Sequence, residues 1–174
     1  MSALQSLNIL LVDDNQHMRA ITSAILQSAG IRNIREVSDG AMALEVVRDH
    51  QIDLAIVDFN MFPLDGVEFT RLVRNSPDSA NPYLPIIMMT GHSEKHRVVE
   101  ARDAGVTEFV VKPITAKAVF DRIQAVILRP RPYVKTDDYF GPDRRRTSSV
   151  ASYKGPRRRS TDVAEDASTN TDGS

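Results

Sequence analysis

Short apolar runs that end abruptly in charged residues recur along the first two thirds of the chain. Three of them come directly before chemically useful side chains: residues 8–12 before Asp13 and Asp14, residues 52–57 before Asp58, and residues 109–111 before Lys112. Short runs of mostly β-branched and aliphatic residues are typical of strands buried on both faces of a parallel sheet. In an open α/β sheet the carboxyl ends of such strands converge on one crevice. The pattern therefore predicts three carboxylates and one ammonium group in a single small site.

Segments with apolar residues at helical spacing alternate with these runs. The predicted helices cover about residues 16–29, 41–50 and 93–104, a segment that opens at Gly66, and a last segment capped by Thr115. Two further strands are predicted at residues 34–37 and 85–90. Asn15 and Ser93 are expected N-caps, and Gly105 is an expected helix stop. This order of elements predicts a doubly wound α/β fold with five strands and five helices.

A site with three carboxylates suits a hard divalent cation. The carboxylates repel one another unless a cation neutralises them, and Mg²⁺ commonly takes one or two carboxylates, keeps several waters and shares a phosphate oxygen. Lys112 would add a fixed positive charge for the other phosphoryl oxygens. Phosphoryl transfer depends mainly on such positioning and charge neutralisation. Any one aspartate alone would be read as a solvated loop residue, but the four residues together indicate Mg²⁺-dependent phosphoryl chemistry.

With these residues the chain resembles the receiver domain of two-component response regulators, the family of the chemotaxis response regulator. The matching motifs follow one another over about residues 6–128: Asp13-Asp14, Asp58-Phe59-Asn60-Met61, Asp65-Gly66, Thr90-Gly91 and Lys112-Pro113. The resemblance implies a flavodoxin-like fold, a five-stranded parallel sheet in the strand order 2-1-3-4-5. Two departures stand out: Phe62 intervenes between Met61 and Pro63, and residues 75–84 look slightly long.

The resemblance implies a phosphoacceptor and a metal site. Asp58 would accept a phosphoryl group from a histidine kinase or a phosphotransfer protein. The carboxylates of Asp13, Asp14 and Asp58, with the backbone carbonyl of Asn60, would hold Mg²⁺. The chain is therefore expected to be a signalling phosphoprotein without enzymatic activity of its own.

The resemblance also implies how a phosphoryl group would be sensed. Thr90 and Lys112 would contact its oxygens, and Phe109 would change its packing when Thr90 moves. Asn60 and His92 would flank the phosphoryl group and set its lifetime by controlling the attacking water. His92 is also the residue near the site whose ordinary pKa lies close to neutral.

Composition narrows the class of protein. The chain has 174 residues, a formal net charge of −1 and no cysteine. Without cysteine, disulfides, thiolate metal sites and cysteine nucleophiles are excluded, which agrees with a cytoplasmic location. No apolar stretch approaches the roughly 18 residues of a membrane span, and no signal-peptide pattern begins the chain. The balanced charge gives no global nucleic-acid footprint, so DNA binding is not expected.

The composition changes near residues 129–132, where two prolines end the last helix. Beyond Val134 apolar residues are sparse, and such a segment cannot bury enough apolar surface to offset the entropy of ordering it. We therefore expect a receiver domain over residues 1–129 and a flexible, disordered basic tail over residues 130–174. The tail is expected to add little stability.

The tail contains an internal repeat whose two tyrosines, Tyr139 and Tyr153, are 14 residues apart. Each unit reads Tyr-x-Gly-Pro, followed by three arginines and a hydroxyl residue. Arginine forks suit carboxylate or phosphate partners. The repeat therefore favours a binding role over a purely solubilising tail, with the partner unspecified. The candidate binding residues are Tyr139, Arg144, Arg145, Arg146, Tyr153, Arg157, Arg158 and Arg159.

The predicted function is a response regulator that switches protein–protein interactions. Its downstream target, which the sequence leaves unknown, is expected to dock on the face made by the fourth helix, fifth strand and fifth helix. One alternative is a phosphatase of the haloacid dehalogenase type, but that class needs Asp-x-Asp after the first strand, whereas Asp13 and Asp14 are adjacent. A second alternative is a receiver-regulated binder of nucleic acid or an anionic surface through the arginine-rich tail, which steep salt dependence would reveal.

Overall fold

The computed structural model describes residues 3–144, except for the side chains of residues 3 and 92–94. Five parallel strands form one sheet in the order β2-β1-β3-β4-β5. Their bounds are β1 Asn8–Val12, β2 Asn33–Val37, β3 Leu54–Asp58, β4 Ile86–Thr90 and β5 Glu108–Val111. Val12 pairs with both Val37 and Val57, so the carboxyl ends of the three strands lie side by side. The predicted flavodoxin-like strand order is confirmed.

Five α-helices connect and flank these strands: α1 Gln16–Ser28, α2 Gly40–Asp49, α3 Gly66–Asn75, α4 Val98–Ala104 and α5 Ala116–Leu128. Four of them begin at a side-chain N-cap, because a cap oxygen accepts a backbone N–H that the first turn cannot satisfy. These caps are Asn15, Asp39, Asp65 and Thr115. No helix in the described range is long and apolar enough to cross a bilayer.

The start of α4 differs from the sequence prediction. A 3-10 helix, His92–Arg97, follows β4, and α4 begins only at Val98 with no side-chain capping hydrogen bond from Arg97. Ser93 is therefore not the N-cap of this helix. Gly105 does end α4, and its φ of +110° lies in the left-handed region that favours glycine.

Apolar side chains of alternating strand positions fill the two faces of the sheet. On one face, Ile9 and Leu11 of β1 share a core with residues of α1 and α5, such as Leu26 and Ile123. On the other face, Leu10 and Val12 pack with residues of α2 and α3. A third cluster places Phe59, Val67 and Met88 against α4. Since both faces are covered, the central strands are buried along their whole length.

Residues 130–144 form an ordered hairpin, so the predicted boundary at residue 129 is too early. Strand β6 (Tyr133–Lys135) pairs antiparallel with β7 (Phe140–Pro142). Each strand packs one aromatic ring against the ring of Tyr83. The centroid distances are 5.2 Å for Tyr133 of β6 and 5.4 Å for Phe140 of β7. The side chain of Tyr139 is also buried, with only 8% of it exposed. The segment is ordered because these aromatic rings pack in the folded domain. The compact unit of the chain runs to Arg144.

An arginine at the start of the hairpin fastens it to β5. Arg131 donates hydrogen bonds to the backbone carbonyls of Thr107 and Asp143 and forms a 3.3 Å ion pair with Glu108, the first residue of β5. The side chain of Glu108 is only 6% exposed. Because a buried charge without a partner is unfavourable, the ion pair with Arg131 stabilises this carboxylate. The remaining part of the predicted tail, residues 145–174, lies outside the described residues.

Candidate functional site

Three carboxylates meet at the carboxyl ends of β1 and β3. One oxygen each of Asp13, Asp14 and Asp58 lies within 4.8 Å of the other two. Asp13 and Asp58 are buried, and Asp14 is exposed. A cluster that is buried on one side and open on the other suits a hard cation that keeps part of its water shell. The sequence prediction that these three side chains come together is correct.

Asp13 supplies the observation that tests whether a cation fits. Its Oδ1 accepts the backbone N–H of Asn15 at 2.9 Å, whereas its Oδ2 is buried and has no hydrogen-bond partner among the described residues. Burial raises the pKa of Asp13, although the Asn15 hydrogen bond opposes the shift. A buried carboxylate oxygen without a partner is unfavourable. A divalent cation would satisfy it, so the donor set fits a Mg²⁺ ion.

Asp58 is held against a single ammonium group. The Nζ atom of Lys112 lies 2.6 Å from its Oδ1, and the backbone N–H of Lys112 donates to the carbonyl of Thr90 at 2.7 Å. Burial raises the pKa of Asp58 to about 6, while the hydrogen bond and charge of Lys112 oppose the shift and the nearby Asp13 adds to it. At neutral pH the carboxylate is therefore mostly ionised but poorly solvated, which is the state of a nucleophile.

A glycine lets α3 approach the backbone of Asp58. A Cβ atom on Gly66 would lie 2.6 Å from the Asp58 carbonyl oxygen and 3.0 Å from Cε of Met88. The Gly66 N–H donates to the carbonyl of Phe59 at 3.1 Å, and the carboxylate of Asp65 caps the helix by accepting the Glu68 N–H at 2.8 Å. The Asp65-Gly66 motif therefore fixes where α3 begins relative to Asp58.

Thr90 and Phe109 lie on the neighbouring strands β4 and β5. Thr90 is 3% exposed at the end of β4, next to Lys112. Phe109 on β5 is half-buried and packs against the cluster that contains Phe59, the residue after Asp58. Phe109 also pairs in register with Met88 of β4. Thr90 is thus linked to Lys112 by a backbone hydrogen bond, and Phe109 packs against the cluster that contains Phe59.

Arg97 is a neighbour of the site that no sequence motif indicated. Its guanidinium lies 4.6 Å from the ring centroid of Phe59 and forms ion pairs with Asp65 at 3.6 Å and Glu100 at 3.1 Å. Arg97 therefore links the start of α4 to Asp65, the residue that caps the first turn of α3. The sequence held no periodic or motif signal for these contacts, because Asp65 and Phe59 lie 32 and 38 residues earlier in the chain.

The predicted tail residues are not part of this site where the structure describes them. The Tyr139 hydroxyl donates to the Pro142 carbonyl at 2.6 Å, and Arg144 pairs with Asp103 at 2.5 Å. Both residues are thus used within the folded unit, which corrects their assignment to a free binding tail. The side chain of His92 lies outside the described residues. So do the tail candidates Arg145, Arg146, Tyr153, Arg157, Arg158 and Arg159.

Comparison with known proteins identifies the class. Residues 9–124 match the response regulator receiver domain family, and the chain belongs to this family. The chemotaxis protein CheY of Pseudomonas aeruginosa is 34% identical over 123 residues, which are 71% of this chain and 98% of that protein. CheY-3 of Vibrio cholerae is 30% identical over 125 residues, which are 72% of this chain and 95% of that protein. The predicted family membership is confirmed.

Solved structures agree with this assignment. The chemotaxis protein CheY4 of Vibrio cholerae superimposes with a TM-score of 0.62 at 31% identity, covering 68% of this chain and 97% of that one. The receiver domain of the sensor histidine kinase PA1611 from Pseudomonas aeruginosa gives 0.61 at 28% identity, covering 68% and 94%, and holds a magnesium ion in its active site cleft. Neither the relatives nor these structures support the alternative of a nucleic-acid binder.

Proposed function

We propose that this receiver domain works as a phosphoacceptor, in which Asp58 takes a phosphoryl group from a histidine kinase or a phosphotransfer protein. The observation that carries the proposal is the grouping of Asp13, Asp14 and Asp58 within 4.8 Å, with Lys112 at 2.6 Å from the acceptor. In the transfer, an ionised oxygen of Asp58 forms a bond to phosphorus as the phosphorus–nitrogen bond of the donor breaks. The electron pair of that bond stays with the donor imidazole, which takes up a proton from water.

The carboxylates of Asp13, Asp14 and Asp58 and the backbone carbonyl of Asn60 would hold Mg²⁺. When bound, the ion neutralises charge on the phosphoryl oxygens. Lys112 contributes the second positive charge, fixed at the site by its backbone hydrogen bond to Thr90. The buried, unpartnered Oδ2 of Asp13 supports this assignment, because a carboxylate oxygen in that position has no protein donor among the described residues.

Sensing and lifetime are assigned to the residues around the acceptor. In this proposal the hydroxyl of Thr90 binds a phosphoryl oxygen, and the ring of Phe109 changes its packing in response. A phosphoryl group adds roughly two negative charges and three acceptor oxygens, which shift an existing equilibrium rather than create a new fold. Asn60 and His92 control how easily the attacking water reaches the phosphoryl group, and they thereby set its lifetime.

Output is assigned to a protein partner on the face of α4, β5 and α5. Val99 and Val111 on this face are more than half exposed. Val111 also lines a groove of about 390 Å³, together with Phe109, Pro113 and Arg122 among others. A groove that contains the proposed switch residue Phe109 changes shape when that ring moves, which supports this face as the docking site.

Phosphorylation by a small donor tests the proposal directly. Incubation with acetyl phosphate and Mg²⁺ should add one phosphate to the intact chain, as read by mass spectrometry under mild conditions. Asp58→Asn should remain unlabelled, while the matched control Asp49→Asn, which changes an exposed carboxylate on α2, should label normally. Equal labelling of Asp58→Asn, or labelling that survives chelation of the metal, would show that the site is assigned wrongly.

A further inference from the structure

The loop between β3 and α3, residues 59–65, leaves the sheet at Phe59 and returns to it at Gly66. The Phe59 N–H donates to the Met89 carbonyl at 3.0 Å, and the Gly66 N–H donates to the Phe59 carbonyl at 3.1 Å. Gly66 also lies close to the backbone of Asp58, since a Cβ atom on it would be 2.6 Å from the Asp58 carbonyl oxygen. The two ends of the loop therefore meet beside Asp58. With the loop closed in this way, the Asp58 side chain is only 7% exposed.

One arginine contacts both ends of this loop. The guanidinium of Arg97 lies 4.6 Å from the ring centroid of Phe59, the first residue of the loop. It also lies 3.6 Å from the carboxylate of Asp65, the last residue of the loop. Arg97 belongs to neither β3 nor α3, because it directly precedes α4. A single side chain thus joins the two loop ends to each other and to the start of α4.

The two loop residues that Arg97 contacts are themselves fixed. The ring of Phe59 is only 1% exposed, so the surrounding core holds it in place. The carboxylate of Asp65 caps α3 by accepting the Glu68 N–H at 2.8 Å. A guanidinium is attracted to the negative face of an aromatic ring, and the ion pair adds a second attraction. Because opening of the loop separates Asp65 from Phe59 and breaks at least one of these contacts, Arg97 opposes opening.

A second arginine of the same ionic network provides a comparison. Arg97 donates to the carboxylate of Glu100 at 3.1 Å, and Arg71 of α3 pairs with the same carboxylate at 3.6 Å. Arg71 therefore links α3 to α4 through Glu100 and not through the ends of the loop. A substitution of Arg71 removes an ion pair between the two helices while leaving the contacts of Arg97 with the loop in place.

We propose that Arg97 is a positioning residue that keeps the β3–α3 loop closed and thereby sets the lifetime of a phosphoryl group on Asp58. This role rests on the proposed function, in which Asp58 is phosphorylated and Asn60, inside the loop, controls the attacking water. In hydrolysis a water oxygen bonds to phosphorus as the bond from phosphorus to the Asp58 oxygen breaks. The carboxylate keeps the electron pair of that bond, and a proton of the water passes to solvent. Opening of the loop admits water, so the rate of this step rises with the population of the open loop.

The place of Arg97 in the chain makes this lifetime depend on α4. Val98, the first residue of α4, follows Arg97 directly, and Val99 is more than half exposed on the face assigned to the output partner. A partner that holds the start of α4 in place also holds Arg97 over the ring of Phe59. Binding of that partner therefore prolongs the phosphorylated state.

Amide hydrogen exchange in the full chain tests loop closure without metal or phosphate donor. The reporter is the Gly66 N–H, which exchanges when its hydrogen bond to the Phe59 carbonyl opens. Arg97→Gln removes the contact with the ring and the ion pair with the loop, so exchange at Gly66 should be roughly fivefold faster. The Ala118 N–H, which donates to the cap of α5 at 3.1 Å, should keep its rate. Arg71→Gln should leave the rates of both amides unchanged.

The lifetime is measured by mass spectrometry after labelling with acetyl phosphate and Mg²⁺ and removal of the donor. Arg97→Gln should shorten the lifetime by the same factor as it accelerates exchange, roughly fivefold. Arg71→Gln should not shorten it. Arg97→Lys keeps the charge but lacks the planar fork that stacks on a ring and reaches two partners. It should therefore restore only part of the exchange protection and part of the lifetime.

Three results would overturn the role of Arg97: a lifetime that is unchanged or longer in Arg97→Gln, equal effects of Arg97→Gln and Arg71→Gln, or full recovery in Arg97→Lys. The last result would show that charge alone matters. Failure of the proposed function gives a different result, because the unchanged chain is then not labelled at Asp58 at all. In that case faster exchange at Gly66 in Arg97→Gln would still support Arg97 as the residue that closes the loop.

Discussion

Replacing Tyr139 with alanine should destabilise the whole folded unit, not only a terminal segment. The ring of Tyr139 is only 8% exposed, and loss of such a buried ring costs about 2 kcal/mol. Its hydroxyl also makes a buried 2.6 Å hydrogen bond to Pro142, worth about 1 kcal/mol more. We expect Tyr139→Ala to lower the free energy of unfolding by about 3 kcal/mol. In a chain of this size that is a fall of about 10 °C in the melting temperature.

This loss has an upper limit, which truncation measures. Once the hairpin has detached from the rest of the fold, further weakening of its contacts no longer changes the free energy of unfolding. No substitution in the hairpin should therefore lower that free energy more than removal of the hairpin does. A chain that ends at Arg129 should therefore be at least as destabilised as Tyr139→Ala, whereas one that ends at Arg144 should match the full chain. The sequence alone suggested that residues beyond 129 add little stability, and the structure predicts the opposite.

Urea unfolding of these three altered chains, of Tyr153→Ala and of the unchanged chain checks the argument. Tyr153→Ala is the matched control, since it removes the same side chain from the second copy of the repeat. Because the sequence predicts that this segment adds little stability, we expect the unfolding free energy to stay within about 0.5 kcal/mol of that of the unchanged chain. A loss below about 0.5 kcal/mol in Tyr139→Ala, or equal losses in both variants, would refute the assignment of Tyr139 to the folded unit.

Three further predictions concern the carboxylate site. Because the pKa of Asp58 is raised from 3.8 to about 6, the folded protein binds a proton in that interval that the unfolded chain does not. Without metal, stability should therefore fall by up to about 3 kcal/mol as pH rises from 4 to 6, and Asp58→Asn should flatten this profile in urea titrations. Gly66→Ala should cost about 1–3 kcal/mol and slow labelling by acetyl phosphate, because its methyl group meets the Asp58 carbonyl at 2.6 Å. Thr90→Ala should still be labelled at Asp58, but NMR should show no shift changes around Phe109, and wild-type-like changes would contradict the proposed coupling.

The central sheet and the carboxylate cluster were predictable because one physical rule produces both. Strands covered on two faces must be apolar throughout, so the residue at which polarity returns marks the carboxyl end of the strand. Asp13 and Asp58 follow from that rule, and the parallel arrangement of their strands brings them together. The caps of α1 and α5 were predictable for a similar reason, since Asn15 and Thr115 precede helical patterns directly.

Features that depend on contacts between distant segments could not be read in the same way. Arg97 contacts Phe59 and Asp65 only because α4 begins late, and nothing in residues 92–97 marks that delay. The hairpin was missed because its two strands have three residues each and carry no periodic signal. Its order comes from Tyr83 and Glu108, which supply a ring surface and a buried charge far away in the sequence.

The hairpin also constrains how a signal can cross β5. This strand has four residues, and its two ends are held by different parts of the molecule. At its start, Arg131 binds the Thr107 carbonyl and Glu108, whereas just past its end the backbone of Lys112 is bonded to Thr90. A strand fixed at both ends resists sliding, so its central residues respond mainly by side-chain rotation. Phe109 is the half-buried residue in that interval, and we therefore expect phosphorylation to be transmitted by the rotation of its ring and not by displacement of the strand.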